Sequence, residues 1–558
     1  MFIVLGVLTM LGSCLCFFTP VMECVGVSVV MSHGMMYELS FSLDKYSAMF
    51  GAVVGIISGS VLVFSDFYME DEVYKKRFCS MILLFVGSMV LLLIADNLTS
   101  LMVGWDGLGL TSFCLVGYYD SKYSLSASML TLMTNRVGDV MLLAVIGVLV
   151  GTSSLSLESV QEHGTTALTF MLVLVAGATK SAQVPFSAWL PAAMAAPTPV
   201  STLVHSSTLV TAGLYLMFRY SGPMMSGMSS VMFLMGLSTA LMASTCAALE
   251  ADIKKVVALS TLSQLGVMNM GLSIGMGDLA FFHLIVHALF KALMFMCVGC
   301  IIMSEFGGQE IRRVSGLASK LPMVSMWLLV ASVSLSGFPM MAGFFSKDLL
   351  LEALISEGMS AVCLVLMLFL SFLTVCYSWR LIKCLFSFKE MEVTTYVGEP
   401  KAAFLCTFVL GVGSVLGSTG VQMKMMEVNG LALVSSKDKI LLSAIVIMGA
   451  VVFSFITPNY YIRMTEVKEA LSTMMFFSLV SGSPISKGFL KMCMECGPAA
   501  EVGLEYFFGE GMVRRSIKKS SVVSGVPLHW GAWGFFVYYG ALIASLFLLV
   551  VWTVILVR

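Results

Sequence analysis

Apolar runs of about 20 residues follow one another along most of this 558-residue chain. A run of that length forms an α-helix that can cross a hydrocarbon core of roughly 30 Å. The runs are uniformly apolar, which excludes the alternating strands of an outer-membrane barrel. We expect about sixteen membrane-spanning helices, near residues 3–19, 45–65, 79–95, 97–119, 128–150, 167–195, 199–219, 229–249, 254–276, 279–304, 321–336, 338–356, 360–386, 402–420, 439–457 and 532–557.

Composition supports a membrane protein. Hydrophobic residues make up 58% of the chain and charged residues only 11%, about half the charged share of ordinary globular proteins. So few charges cannot cover a soluble surface, and membrane lipids must surround most of the chain. The net charge of −1 gives no indication of a nucleic-acid partner. Residues 2–18 are uncharged and lack the pattern of a cleaved presequence, which predicts a retained first helix.

Two predicted helices are interrupted in the same way, near 176–191 and near 335–348, by glycine and proline. Such breaks free backbone groups that hydrocarbon cannot satisfy, so they must line a buried or water-filled cavity. Matching breaks in two halves of a chain are typical of transporters with a site at the repeat interface. The sequence therefore predicts an all-α polytopic membrane protein with two related halves.

The predicted organisation comprises N-terminal helices in 1–96, a first half in 97–250, a second half in 251–386, additional spans in 387–460, an amphipathic region in 461–529 and a C-terminal membrane anchor in 530–558. In the amphipathic region, charges alternate with aliphatic and aromatic residues, which is typical of a helix that lies along a membrane interface. A helix of 35–40 residues would reach about 50–60 Å. A disordered loop is the alternative.

Three ionisable residues stand alone within apolar spans: Asp106, Lys180 and Lys291. Each costs roughly 2.5–3.5 kcal/mol on insertion scales, so each is a functional candidate by default. A purely structural pairing between helices is the alternative. A lysine can gain and lose a proton in a desolvated site, whereas an arginine remains charged. The pattern therefore favours proton transfer.

His283, His287 and Lys291 follow one another at intervals of four residues. Each interval climbs about 6 Å along a helix and turns about 40° beyond a full turn, so the three side chains form one inclined stripe. Imidazole titrates near neutrality and can pass a proton between its two nitrogens. A single histidine is more often a core residue, but two that lead to a buried lysine favour a proton wire.

Two further groups are weaker candidates. His205 lies in a run of hydroxyl residues that could hold water between Lys180 and the histidine stripe. Arg136 and Asp139 are three residues apart, and the simplest interpretation is a pair on one helix face.

The sequence shows no phosphate-binding loop and no set of residues with metal-ligand spacing. The segment that begins at Gly104 is not a dinucleotide-binding fingerprint, because it follows no strand and contains a charge. Cys493 and Cys496 form a Cys-x-x-Cys pair, but a second pair that would complete a metal site is missing. We therefore expect no redox cofactor in this chain.

Several motifs resemble the antiporter-like subunits of complex I, the respiratory NADH–ubiquinone oxidoreductase. They lie in order between residues 40 and 385, and they are Gly104-Trp-Asp106-Gly, Lys180-Ser-Ala-Gln, Val200-Ser-Thr-Leu-Val-His205-Ser-Ser-Thr, Asp252-Ile-Lys-Lys, His287-Ala-Leu-Phe-Lys291 and Gly343-Phe-Phe-Ser-Lys347-Asp348. The segment Leu43-Asp-Lys-Tyr-Ser and the long C-terminal extension look like the subunit 5 branch rather than the subunit 2 or 4 branches.

The resemblance implies an inverted-repeat, antiporter-like bundle with a long C-terminal lateral helix along sister antiporter-like subunits. It implies that Asp106 is the carboxylate partner of Lys180. It also implies that His205, Lys291 and Lys347 are the linking histidine, the central lysine and the terminal lysine of the second half, and that Asp348 takes part in proton translocation beside Lys347. It also implies the mitochondrial inner membrane, and redox chemistry in other subunits that hold NADH, FMN, iron–sulfur clusters and ubiquinone. A monovalent cation/proton antiporter and a structural scaffold are the alternatives.

Overall fold

A computed structural model describes most of the first 455 residues, and every described residue belongs to the compact unit Met1–Ser483. The predicted amphipathic helix in 461–529 and the predicted anchor near 532–557 lie outside the described residues and stay predictions. The described residues are 2–18, 24–30, 36–150, 166–220, 229–305, 307–311, 316, 318, 320–356, 360–386, 401–426 and 436–455.

Within these ranges the chain is almost entirely helical. The helices are α1 (Phe2–Phe18), α2 (Lys45–Tyr68), α3 (Lys75–Ile94), α4 (Leu98–Val116), α5 (Lys122–Val150), α6 (Thr166–Lys180), α7 (Trp189–Ala192), α8 (Thr198–Arg219), α9 (Ser229–Leu249), α10 (Ile253–Ser273), α11 (Gly277–Ser304), α12 (Pro322–Ser336), α13 (Leu349–Ser356), α14 (Ala361–Phe386), α15 (Lys401–Met426) and α16 (Ser436–Phe455).

The predicted spans from 3–19 to 439–457 each coincide with helical structure. Ten of the described helices are long and apolar enough to cross a membrane, and α6, α12 and α16 are shorter apolar helices. The starts of α2 and α4 are fixed by capping boxes, in which Asp44 pairs with Ser47 and Asn97 with Ser100. The predicted multi-pass helical membrane fold is therefore confirmed.

The prediction missed one feature, an antiparallel hairpin between α1 and α2. Strands β1 (Cys24–Val30) and β2 (Met36–Ser42) pair along their whole length, from Cys24 opposite Ser42 to Val30 opposite Met36. Phe41 also bridges to Ala95 at the end of α3. Each strand has only seven residues, too few to stand out beside the long apolar runs.

Polar contacts define two ends of the bundle. At the end where α2 begins, which we call end A, Asp44 forms an ion pair with Arg219 of α8, and the Tyr46 hydroxyl donates to Asp278 of α11 at 2.8 Å. At the opposite end, end B, the Arg380 guanidinium of α14 donates to the Glu250 carbonyl at 2.7 Å. The polypeptide therefore turns between α9 and α10 at end B.

The two halves run in opposite directions through the membrane. Helix α4 begins at end A, next to Asp96, whose backbone N–H donates to the Ser40 carbonyl of β2 at 3.1 Å. Helix α10 begins at end B, just after Glu250. Successive spans alternate, so the broken helix of the first half starts at end A and that of the second half starts at end B. This arrangement is the inverted repeat of many transporters.

Both predicted breaks are present. Helix α6 ends at Lys180 and helical structure resumes at Trp189. Helix α12 ends at Ser336, and Gly337 adopts a φ of 81°, a left-handed conformation that favours glycine. A π-helical turn, Phe344–Asp348, then leads into α13.

Candidate functional site

Lys180 lies at the first break and is completely buried. Its Nζ donates to the Trp105 carbonyl of α4 at 2.7 Å and lies 3.8 Å from the centroid of the Trp105 ring. The ring face offers a cation a favourable electrostatic contact. The amine is thus held by a carbonyl and an aromatic face, and not by a carboxylate.

A chain of polar contacts continues from Trp105 to the outer side of α4 and α5. The Trp105 indole Nε1 donates to Asp139 Oδ1 at 2.9 Å. The Arg136 guanidinium lies 3.1 Å from Asp139 and 3.7 Å from Asp106. The predicted pair between Arg136 and Asp139 is therefore present.

The predicted direct pair between Asp106 and Lys180 is wrong for this structure. Asp106 immediately follows Trp105, so its side chain leaves α4 about 100° away from the ring that Lys180 contacts. It lies instead beside Arg136, with 42% of its side chain exposed. Sequence spacing identified both ionisable residues, but it could not tell which face of α4 each neighbour occupies.

His205 lies within a π-helical segment of α8, Ser201–Thr208, and is buried. Its ring centroid is 6.0 Å from that of Trp189, which follows the first break. The Trp189 indole donates to the Thr179 carbonyl at 2.9 Å, next to Lys180. Neither ring nitrogen of His205 has a hydrogen-bond partner among the described residues. Such π-helical segments are frequent at functional sites.

The histidine stripe of α11 is buried along its length, as predicted. His283 contacts Ser346 at 3.0 Å through Nδ1 and Gln264 at 3.3 Å through Nε2. The rings of His283 and His287 are 6.0 Å apart. One helical turn further, Lys291 Nζ donates to the Ser260 hydroxyl of α10 at 2.5 Å. The stripe thus connects α10, α11 and the second break.

Lys347 lies in the second break and is buried. Its Nζ donates to the Thr374 hydroxyl at 2.8 Å and to the Leu335 and Ser336 carbonyls at 3.4 and 3.5 Å. Those carbonyls end α12, so the lysine satisfies groups that the break leaves free. Ser346, the residue before Lys347, contacts His283, and this joins Lys347 to the stripe.

Several buried polar side chains around the two breaks have atoms without a hydrogen-bond partner among the described residues. Buried polar groups are normally bonded to protein or to ordered water, so these positions are suited to hold water molecules. They are Asn135, Gln183, Ser187, His205, Gln264, His287 and Asp348.

Sequence reasoning missed Trp105, Gln264, Ser346 and Lys254 as parts or neighbours of this site. The first three are uncharged, and nothing in their spacing distinguishes them from helix-packing residues. Lys254 is 4% exposed, and its Nζ donates to the Ala196 carbonyl at 3.2 Å. It stands next to a second lysine near a predicted helix start, which is the usual pattern of a surface loop.

Comparison with known families agrees with the fold and the motifs. Residues 95–374 match the family model described as NADH:quinone oxidoreductase/Mrp antiporter, TM, and residues 30–79 match the one described as NADH-ubiquinone oxidoreductase (complex I), chain 5 N-terminus. The chain is 38% identical over 499 residues to NADH-ubiquinone oxidoreductase chain 5 of Anopheles gambiae, an alignment that covers 87% of this chain and 86% of that protein.

The same protein from Aedes aegypti is 46% identical over 359 residues, which cover 63% of this chain and 62% of the relative. Among solved structures, the Mrp complex from Dietzia sp. aligns with a TM-score of 0.73 at 24% identity and covers 94% of this chain and 61% of its own. An archaeal membrane-bound sulfane sulfur reductase aligns with a TM-score of 0.68 at 21% identity, over 80% of this chain and 93% of its own. At these identities the two structures support the fold alone.

Proposed function

This chain belongs to the NADH–ubiquinone oxidoreductase chain 5 family, and on that premise we propose that it translocates protons across the mitochondrial inner membrane as a core membrane subunit of respiratory complex I. The chain would then be part of an H⁺-translocating NADH:ubiquinone reductase. Electron transfer from NADH to ubiquinone, with FMN and iron–sulfur clusters, would take place in other subunits and supply the energy.

One observation carries the proposal: buried titratable side chains occupy both helix breaks and the helices between them. Lys180 and His205 lie in the first half, and Lys291 and Lys347 lie in the second. A charged group at this depth is costly and is rarely retained without a role in ion or proton movement. The inverted repeat supplies the two related halves that such a pathway needs.

The partners of the three lysines suit reversible proton binding. Lys180 donates to a carbonyl, Lys291 to a hydroxyl, and Lys347 to a hydroxyl and two carbonyls. These acceptors are neutral, so an amine can lose its proton without leaving a bonded carboxylate uncompensated. A neutral amine keeps two N–H donors and can retain its hydrogen bond.

In the second half, protons can pass between Lys291 and Lys347 through the stripe. His287 and His283 supply titratable nitrogens, and Ser346 joins His283 to the residue next to Lys347. Adjacent imidazole rings lie 6.0 Å apart, a separation that one water molecule can bridge. Neither ring nitrogen of His287 has a hydrogen-bond partner among the described residues, so both can bond such a water.

The test is Lys291→Ala in the assembled complex reconstituted into vesicles. Proton transfer per NADH oxidised should fall strongly, because the substitution removes the titratable group that ends the stripe. Lys255→Ala is the matched control, since Lys255 is on α10 but pairs with Asp252 at 2.8 Å near end B. An unchanged proton-to-electron ratio in Lys291→Ala would contradict the proposal.

The alternative function is that of a subunit of a monovalent cation/proton antiporter, and the likeness in fold to the Mrp complex is the observation that favours it. Chain 5 relatives match most of this sequence at higher identity, which favours complex I. Replacement of Na⁺ by a large organic cation should therefore leave proton transfer unchanged. A strict Na⁺ requirement would favour the antiporter.

We also propose that the sister antiporter-like subunits are partners of this chain, and the outer side of α4 and α5 supports such a contact. Arg136 and Asp106 form an ion pair there with 44% and 42% of their side chains exposed. Lipid hydrocarbon cannot stabilise the charges of Arg136 and Asp106, so we expect a neighbouring protein surface to cover them. The proposed helix in 461–529 would add a second contact with the same subunits.

A further inference from the structure

Lys254 is a buried cation that the pathway described above does not include. It is the second residue of α10, and its amine makes one hydrogen bond, to the Ala196 carbonyl. Among the described residues, no carboxylate lies within ion-pair distance of this amine. The adjacent Lys255, by contrast, is paired with Asp252 and lies 3.9 Å from Glu250.

The position of Lys254 connects end B with the interior. Helix α10 begins at end B, and Ser260, which binds Lys291, follows six residues later, about 9 Å along the helix. Lys254 therefore lies between the aqueous phase at end B and the level of Lys291. Its amine is covered by protein, because the residue is only 4% exposed.

The same amine also reaches the first half. Ala196 ends the short helical segment that follows the first break, and α8 begins two residues later at Thr198. His205 lies seven residues into that helix, about 10 Å from its start. One side chain on the first helix of the second half thus contacts the broken helix of the first half.

The bonding of Lys254 suits a group that exchanges protons. An ammonium carries three N–H donors, and the described residues supply an acceptor for one. The remaining donors are suited to bond water molecules, because buried polar groups are normally bonded to protein or to ordered water. A lysine without a counter-charge in such a site can change its protonation state, whereas an arginine cannot.

We propose that Lys254 exchanges protons between the aqueous phase at end B and the buried residues of both halves. The Lys254 ammonium becomes a neutral amine when it releases a proton to water molecules on the side of Lys291 or His205. The neutral amine then takes up another proton from the aqueous phase at end B. In the reverse order, the same two steps release protons from the buried residues to end B. This inference rests on the proposed function, because it assigns an aqueous access point to the same pathway.

A purely structural role is the competing explanation, since the hydrogen bond to Ala196 also joins the two halves. Lys254→Arg separates the two roles, because it keeps the positive charge and the donors but removes the exchange. The arginine variant should assemble and oxidise NADH, yet lose most of its proton transfer per electron. Normal proton transfer in that variant would overturn the proposal and leave Lys254 as a structural contact.

Lys254→His provides the second readout. Imidazole has an ordinary pKa about 4 units below that of lysine, so this variant should restore proton transfer in part, with its pH profile shifted to lower pH. A structural contact would not move the pH profile, so recovery with an unshifted profile would contradict the proposal. The histidine variant also decides the question if arginine proves too large for assembly.

Two parallel variants complete the design. Lys255→Arg, on the adjacent paired lysine, should leave proton transfer and its pH profile unchanged. Lys291→Ala reports on the proposed function itself. If Lys291→Ala loses proton transfer while Lys254→Arg does not, only the access role fails; if both variants pump normally, the proposed function fails as well.

Discussion

At the scale of single residues, the sequence predicted most of the buried ionisable groups, with Lys254 as an exception, but it did not predict their partners. Lys180 and Lys291 could be identified because each is a lone charge in an apolar span, whereas His205 was a weaker candidate and Lys347 came from the resemblance to complex I subunits. Their partners depend on which helix faces meet, and this is a tertiary property. Trp105 shows the difference, since its carbonyl and ring hold Lys180 although an indole in an apolar helix usually indicates packing.

The Arg136–Asp139 pair gives a first prediction. Arg136→Met leaves the Asp139 carboxylate, which is 6% exposed, without its cation, and should reduce stability by about 1–3 kcal/mol. Adding Asp139→Asn removes the uncompensated charge and should recover part of the assembled complex, which native gels can quantify. Equal assembly of the single and double variants would show that the pair contributes little. Asp106→Asn should reduce stability less than Arg136→Met, because Asp106 is half-exposed whereas Arg136→Met leaves the buried Asp139 carboxylate unpaired.

Ser346 gives a second prediction, because its hydroxyl joins His283 to the residue beside Lys347. Ser346→Ala removes the contact with His283 and also the local hydrogen bond from the Ser346 hydroxyl to the Ala342 carbonyl at 3.3 Å. Loss of the contact with His283, worth about 1 kcal/mol, should slow proton transfer through the second half by about fivefold. Proton flux in vesicles at saturating NADH measures this. Ser336→Ala is the control, since the Ser336 hydroxyl donates only to the Val333 carbonyl of its own helix. Equal rates in the two variants would exclude Ser346 from the pathway.

At the scale of elements, the length and apolarity of the runs were sufficient to predict the membrane helices, and their glycine and proline residues were sufficient to predict the two breaks. They were insufficient for the hairpin of β1 and β2, whose strands pair with each other and also bond to the connection between α3 and α4, through Phe41 with Ala95 and through the Ser40 carbonyl with the Asp96 N–H. The π-helical segment Ser201–Thr208 was also not predictable. Its residues are compatible with an ordinary α-helix, and the wider turn is a property of the packed helix.

The second break gives a prediction at this scale. At Gly343, a Cβ atom would lie 1.8 Å from the Ser334 carbonyl oxygen, so Gly343→Ala must displace the backbone that places Lys347. We expect strongly reduced assembly, measured as the yield of intact complex. Gly420→Ala in α15 is the control, because a Cβ there meets no atom within 4 Å. Helix propensity should even stabilise the control, because alanine is more favourable than glycine inside a helix by about 1 kcal/mol. Normal assembly of Gly343→Ala would show that the break tolerates a wider separation.

At the scale of the whole molecule, the start of α2 holds the two halves together at end A. Asp44 pairs with Arg219 of the first half, and Tyr46 donates to Asp278 of the second half. The Tyr46 ring also contacts Phe218 and Phe281, whose centroids lie 5.1 and 5.2 Å away. These two phenylalanines come from different halves and stack on each other at 5.0 Å. Neighbouring residues of one helix therefore contact both halves.

Two substitutions of Tyr46 separate the contributions of its hydroxyl and its ring. Tyr46→Phe removes only the hydrogen bond to the Asp278 carboxylate, which is worth about 1.5–3 kcal/mol. Tyr46→Ala also removes the ring between the halves, and loss of a large aromatic side chain costs about 3–5 kcal/mol when it is fully buried. We therefore expect the order of stability wild type, Tyr46→Phe, Tyr46→Ala in thermal unfolding of the purified complex.

Proton transfer should respond differently from stability in these variants. Tyr46 lies at end A and contacts none of the buried lysines, so complexes that do assemble should keep a normal proton-to-electron ratio. Tyr123→Phe, on an exposed tyrosine at the start of α5, is the control for loss of a hydroxyl. If Tyr46→Ala were as stable as Tyr123→Phe, the halves would be held at end A by other contacts. If it assembled fully but no longer pumped, the start of α2 would belong to the proton pathway and not only to the scaffold that supports it.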